Sequence, residues 1–209
     1  MQPMSRTTRQ LRAWRLRGRR QAGRALVLLL LSGALLLPIL AAKASSETPK
    51  ASVYQVQAAY LYNFGKFVRW PAVAPANQGG SFSICVFDQD PLAAVLQSTL
   101  AGESVGNRPV VIRRVAKAQE AGSCHILFIS LAQRKELKEI LAALDQKSVL
   151  TVSDIPDFSS EGGMIQFVFE GDRIRFEINL EGAQRAHLVF PSELLRVAVA
   201  VRKPARPGE

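Results

Sequence analysis

Between residues 81 and 153, short apolar runs alternate with stretches of helical period, and this alternation constrains the fold more than any other feature. In "SFSICVF" (81–87), Phe82, Ile84 and Val86 fall on one face and Cys85 on the other, the two-residue period of a strand. "RPVVIRRV" (108–115) and "SVLTVS" (148–153) read as further strands. "HILFIS" (125–130) is the unbroken apolar run of a strand buried on both faces, as in a parallel sheet. Between them lie helices. Asp90-Pro91 opens one, Asp as N-cap and Pro in the first turn, with Leu92, Val95, Leu96 and Leu100 following at helical spacing. Residues 132–144 form another, with Leu137, Ile140, Leu141 and Leu144 facing inward. Strand–helix–strand repetition predicts a parallel sheet covered by helices.

After residue 160 the texture changes. Residues 164–170 and 173–180 flank Gly171-Asp172, a two-residue turn with Gly first and so a hairpin signal. Ile165, Phe167 and Phe169 share a face, as do Ile174, Phe176 and Ile178; Arg173, Arg175, Glu177 and Asn179 occupy the opposite one. A final helix is expected over 191–201. At the other end, Ser52 is placed to cap a helix running to about Val68. Its stripe reads Val53, Val56, Tyr60, Phe64 and Phe67 or Val68, with Tyr62, Lys66, Arg69 and Trp70 left on other faces. The expected architecture is therefore α/β: a single-domain sandwich with a mostly parallel sheet flanked by helices, a C-terminal β-hairpin and a final helix.

The first 44 residues are expected to lie outside that domain. Eight arginines and no acid precede an apolar run at 25–40, and Ala42-Lys43-Ala44 then supplies a small-residue cleavage site before Ser45. These are the three parts of a secretory signal peptide, with cleavage expected after Ala44 and the periplasm as destination. The apolar run falls short of the ~20 residues that span a bilayer, which leaves an uncleaved anchor as the alternative. Residues 45–51 read as a linker, 52–203 as the domain and 204–209 as a tail. The leader also explains the charge. The whole chain carries 27 basic and 17 acidic residues, net +10. Nine of the basic residues lie in the first 44, so 18 remain against 17 acids, and a nucleic-acid partner loses its electrostatic support. Two cysteines remain, Cys85 and Cys124. In an oxidising compartment an even count favours a disulfide; two free buried thiols are the alternative.

Catalytic chemistry is sparse. The two histidines, His125 and His187, fit no metal-binding, nucleophile-elbow or phosphate-loop pattern, and no cofactor is implied. Asp88 and Asp90 follow a strand where α/β folds bind ligands, but helix capping accounts for Asp90. The richest polar set is the hairpin face with Arg185 soon after. Such a face either pairs internally or lines a pocket for a zwitterionic or anionic small molecule.

"AAYLYNFGKFVRWP" (58–71), "GGMIQFVFEGDRIRFEIN" (162–179) and "LLRVAVAV" (194–201), in that order behind a leader, resemble the YfiR family of small periplasmic regulators, over about 53–201. The resemblance implies an α/β domain, often a homodimer, that acts without catalysis. Its partner would be the periplasmic region of a membrane-bound diguanylate cyclase, whose cyclic di-GMP synthesis it restrains. An outer-membrane lipoprotein would sequester the regulator and release the cyclase. Family members with a second cysteine pair carry it in the region matching 159–166, where this chain has none, so redox control through that pair is not expected. Matched by motif, Glu177 and Arg185 would line a ligand pocket, with Ser160 and Arg175 as further candidates; Tyr62 and Trp70 would be free for partner contact. A periplasmic small-ligand binding protein serving a transporter or sensor is the alternative function.

Overall fold

The computed structural model describes residues 52–204, apart from 73, 75, 77 and 78. The stretches expected to be a signal peptide, a linker and, Pro204 apart, a tail lie outside the described residues. In chain order the regular elements are α1 (Val53–Phe67), β1 (Phe82–Phe87), α2 (Leu92–Thr99), β2 (Ser104–Val105), β3 (Arg108–Val115), β4 (Ile126–Ile129), α3 (Leu137–Ala143), β5 (Leu150–Ser153), β6 (Ile165–Glu170), β7 (Arg173–Asn179), α4 (Leu180–Arg185), α5 (Ser192–Val197) and β8 (Ala200–Arg202). Short 3-10 helices at Ala118–Ser123 and Leu131–Glu136 precede β4 and α3.

The eight strands form one sheet in the order β2-β3-β1-β4-β5-β6-β7-β8. From β3 to β6 every pair is parallel. The hairpin β6–β7 is antiparallel, with Phe167 opposite Phe176 and Ile165 opposite Ile178. Gly171 has φ +57°, the left-handed turn geometry for which glycine is suited. β8 returns parallel to β7.

Apolar layers cover both faces of the parallel strands. On one, Ile84, Val86, Ile126, Phe128 and Val152 pack with α1, α2 and the inner face of the hairpin. On the other, Cys85, Leu127, Ile129 and Val149 pack with α3, Phe158 and Ala118 and Ala121 of the first 3-10 segment. All six residues of β1 are therefore buried, including the Cys85 side that alternation alone left unassigned. Cys85 and Cys124 are joined in that second layer, both fully buried, with Cα atoms 6.1 Å apart. The chain-entropy model assigns closure of such a loop about 4 kcal/mol.

Helix starts follow the sequence signals. Ser52 accepts from the Gln55 N–H while the Gln55 side chain accepts from the Ser52 N–H, a reciprocal cap. Asp90 Oδ1 accepts from the Leu92 N–H at 2.9 Å, so this carboxylate serves the helix entrance. Three expectations are corrected. Of the stripe expected on α1, Phe64 and the capping Val68 are buried and Val56 and Tyr60 pack against the core, but Val53 and Phe67 are 48% and 47% exposed, and Ala58 and Leu61 complete the buried face. The helix expected over 191–201 stops at Val197, and Ala200–Arg202 is a strand. The amphipathic stretch 132–144 is divided between a 3-10 turn and α3.

Candidate functional site

The hairpin is covered on one face only. Its inner face carries Ile165, Phe167, Ile174, Phe176 and Ile178, while Gln166, Arg175 and Glu177 stay half-buried on the other. That polar face meets the turn at 157–162 and strand β8, and the three elements share one hydrogen-bond network. Ser159 is its hub. Its N–H donates to Gln166 Oε1 at 3.0 Å, and its hydroxyl donates to Glu177 Oε2 at 2.9 Å. Arg202 Nε donates to the same hydroxyl oxygen at 3.1 Å, and its Nη2 lies 3.9 Å from Glu177 Oε2. Asn179 Nδ2 donates to the Ser159 carbonyl at 3.0 Å, while Asn179 Oδ1 caps α4 by accepting from the Glu181 and Gly182 N–H groups. The carboxylate of Glu177 is thus fixed by a neutral donor and a cation, the pairing that a half-buried charge requires.

Arg185, at the end of α4, lies beside this network. Its Nη1 is 3.0 Å from Glu181 Oε1, one turn back, and its Nε is 3.5 Å from Asp145 Oδ1. Two hollows meet at this side chain. One, of about 470 Å³, is lined by Ser159, Ser160, Asn179, Arg202 and Lys203; the other, of about 400 Å³, by Leu141, Asp145, Met164 and Gly182. Glu161, Gly162 and Arg185 belong to both. Gly182 is needed there, because a Cβ on it would stand 2.9 Å from the Gly162 carbonyl oxygen.

The structure brings together part of the residue set suggested by sequence. Arg185 and Ser160 line the same hollow, with the Ser160 hydroxyl donating to the Asp157 carbonyl at 2.8 Å. Glu177 stands behind that hollow, bonded to two of its lining residues, Ser159 and Arg202. Arg175 sits further along β7, opposite Val168 and outside both hollows. Sequence reasoning missed Ser159 and Arg202, and it named Asn179 only as one of the polar residues of the hairpin face. Asn179 had a readable signal, a capping residue directly after a strand; Arg202 had none while its segment was expected to be helical.

Tyr62 and Trp70 are both half-buried. The Tyr62 hydroxyl donates to Glu103 Oε2 at 2.6 Å, a bond that raises the phenol's pKa above its usual value, and Lys66 Nζ lies 5.0 Å over the ring. Trp70 packs edge-on against Phe82 at 5.4 Å between ring centres. The large apolar side chains left in the open nearby are Phe67 and, across the Arg69–Val189 bridge, Val189, 57% exposed.

A family model described as YfiR/HmsC-like matches residues 54–199. Among solved structures, a conserved domain protein from Vibrio cholerae O1 biovar El Tor superposes with a TM-score of 0.51 at 10% identity, covering 73% of this chain and 61% of that one. An ABC domain from Streptococcus pneumoniae, solved in complex with L-Trp, gives 0.47 at 10% identity, covering 71% and 60%. The chain thus spans about three fifths of the length of each solved protein. The likeness to the Vibrio protein speaks to fold alone; the second, below half, carries no argument.

Proposed function

The chain belongs to the YfiR/HmsC-like family, and from that premise we propose that it is a non-catalytic periplasmic regulator which binds a membrane-bound diguanylate cyclase from the periplasmic side and restrains it. The family match over residues 54–199 is the observation that carries this reading. The physical basis is differential affinity: a partner that binds the inactive conformation of a cyclase more tightly shifts the population towards it, with no bond made or broken. The hairpin site is compatible with such a role. Its charges are held in pairs, Glu177 by Ser159 and Arg202, Arg185 by Glu181 and Asp145. A small zwitterion or anion entering beside Arg185 would exchange those partners and tune partner affinity by linkage. In this reading Glu177, Arg185 and Ser160 serve the ligand, with Arg175 at the margin. Tyr62 and Trp70 contribute to partner contact alongside the exposed Phe67 and Val189. An outer-membrane lipoprotein that captures the regulator and a homodimeric state complete the proposal.

Deleting the gene should raise cyclic di-GMP, and an exported copy should restore the lower level. Unchanged cyclic di-GMP in the deletion strain across several growth conditions would remove the cyclase reading. The small-ligand carrier, which the two hollows at Arg185 favour, would then stand.

A further inference from the structure

Three polar side chains meet below the surface at the carboxyl ends of the parallel strands. Asp90 follows β1 by three residues, Asp154 follows β5 directly, and Gln57 comes from the second turn of α1. They are neighbours: the Asp90 charge acts on the Asp154 carboxyl, and so does the Gln57 amide, without reaching hydrogen-bond geometry. The position in the sheet is also particular. β3 and β4 lie on either side of β1, so the chain reverses its direction across the sheet there. The carboxyl ends of strands at such a reversal are where open α/β sheets take ligands.

Oxygen acceptors are in excess at this place. Gln57 is 0% exposed, and neither its Oε1 nor its Nε2 has a hydrogen-bond partner. Asp90 is 5% exposed; its Oδ1 accepts from the Leu92 N–H, and its Oδ2 is left over. Asp154 Oδ1 is buried and equally without a partner, while the residue as a whole is half-buried and so gives the cluster a side towards solvent. The hydroxyls at the same strand ends are engaged elsewhere. Ser153 donates to the Ile129 carbonyl at 2.6 Å and Ser130 to Gln133 Oε1 at 2.8 Å. No ion pair among the described residues includes either aspartate. Three oxygens therefore face one donor, the Gln57 amide, and two of them belong to carboxylates. Burial, and after it the Asp90 charge, raise the Asp154 carboxyl above its usual pKa, as befits a negative charge drawn out of water with no cation beside it.

We propose that Gln57 Oε1, Asp90 Oδ2 and Asp154 Oδ1 form a site for a hard divalent cation, calcium or magnesium, with water completing its shell. Such ions take oxygen ligands, and their two positive charges match the two carboxylates. The set has no imidazole or thiolate, which sets it apart from a zinc site. With only two acids, the dissociation constant is expected on the order of 10⁻⁴–10⁻³ M, the range of extracellular calcium modules. The bound ion would tie α1 and the entrance of α2 to the end of β5. It shares no residue with the hollows at Arg185 and is independent of the function proposed above.

The test is calorimetric titration of chelator-treated protein with calcium chloride and, separately, magnesium chloride, at neutral pH in sodium chloride. Saturable binding of one ion per chain by at least one of the two is expected, with a rise in melting temperature; the tighter of the two identifies the ion. Asp90→Asn keeps the oxygen that caps α2 and removes the charge, and Asp154→Asn is equally isosteric. Each should weaken binding by about tenfold or more, since affinity follows ligand charge. Glu193→Gln, an exposed carboxylate at the start of α5, should leave binding unchanged. In the unsubstituted protein, the bound ion should move the NMR signals of the Gln57 side-chain amide and of the Asp90 and Asp154 main chain. Absence of saturable binding by both ions overturns the proposal, and water or a proton then meets the spare oxygens. Binding that leaves those three signals in place, or that keeps its affinity in the Asp90→Asn, Asp154→Asn double variant, overturns it as well, because the ion then sits elsewhere.

Discussion

His125 concentrates much of the local physics in one side chain. It is 1% exposed, accepts from main chain on one side, stacks on Phe82 and meets an arginine on the other. An ordinary histidine near pH 6 would be partly charged, but this one stays neutral until about pH 4. Between the unfolded value of 6.5 and the folded value of about 4, the unfolded chain binds the extra proton and the native state does not. Stability is therefore full above pH 6.5, falls as the pH drops through that window, and levels off below about pH 4. The loss from this group is on the order of 3 kcal/mol. Asp154 acts in the opposite sense, since burial raises its carboxyl pKa and acid favours its native form. Urea unfolding from pH 7 to pH 4 should show the decline, and His125→Asn should flatten it; a wild-type profile with no slope there would mean that the ring takes up a proton in the native state. Of all this, sequence showed only that a histidine heads a buried strand. Its partners Ser83 and Arg108 are brought to it by neighbouring strands of the sheet, and that proximity is not written in local pattern.

At the scale of elements, periodicity was readable wherever packing agreed with it. The parallel strands and the hairpin register follow from apolar runs and from the Gly171-Asp172 turn. Helix α1 shows where the pattern has two solutions. The expected stripe through Val53, Val56, Tyr60, Phe64 and Phe67 or Val68 holds in its middle, where Tyr60 and Phe64 meet Phe167 and Phe176, but Ala58 and Leu61 join the buried face, Val68 rather than Phe67 continues it, and Val53 is left exposed. Phe64, 1% exposed, lies near Phe167 and Phe176, at 6.1 and 5.1 Å between ring centres. Phe64→Ala should cost about 3–5 kcal/mol in chemical denaturation. Phe67→Ala should stay within about 0.5 kcal/mol. Equal losses from the two would contradict the assigned helix face. The segment after Val197 failed to read correctly for a related reason: "AVAVR" has alternation as well as helical spacing, and pairing with β7 decides between them. That choice sets Arg202 against Ser159 and Glu177, so the candidate ligand site depends on an element that local sequence left ambiguous.

Across the whole molecule, the parallel strands run in the order β3-β1-β4-β5-β6, a doubly wound arrangement extended by a hairpin and a returning strand. Covering helices make the parallel part a core, and the polar face of the hairpin is left for chemistry; that division was legible from the contrast between "HILFIS" and "RIRFEIN". The two margins of the sheet are also alike in one respect. β2 is two residues long and β8 three, while the strands inside them, β3 and β7, run to eight and seven. Long strands with unpaired main-chain groups template the addition of foreign chains, and short outer strands deny them that surface. The C-terminal margin rests on little: Glu177, Ile178 and Asn179 pair with Ala200, Val201 and Arg202, and the Val199 N–H donates to the Phe176 carbonyl. A chain ending at Ala198 would open that side of β7, whose freed main-chain groups, with Ile174, Phe176 and Ile178 on one face, would pair with another copy of the strand. Such a chain should form growing aggregates, visible as concentration-dependent light scattering under conditions where the full chain gives none. A truncated protein that stays monodisperse would mean that β7 guards its own edge. If the truncated chain aggregates, proteolytic loss of the last eleven residues is a hazard to solubility before it touches any ligand or partner.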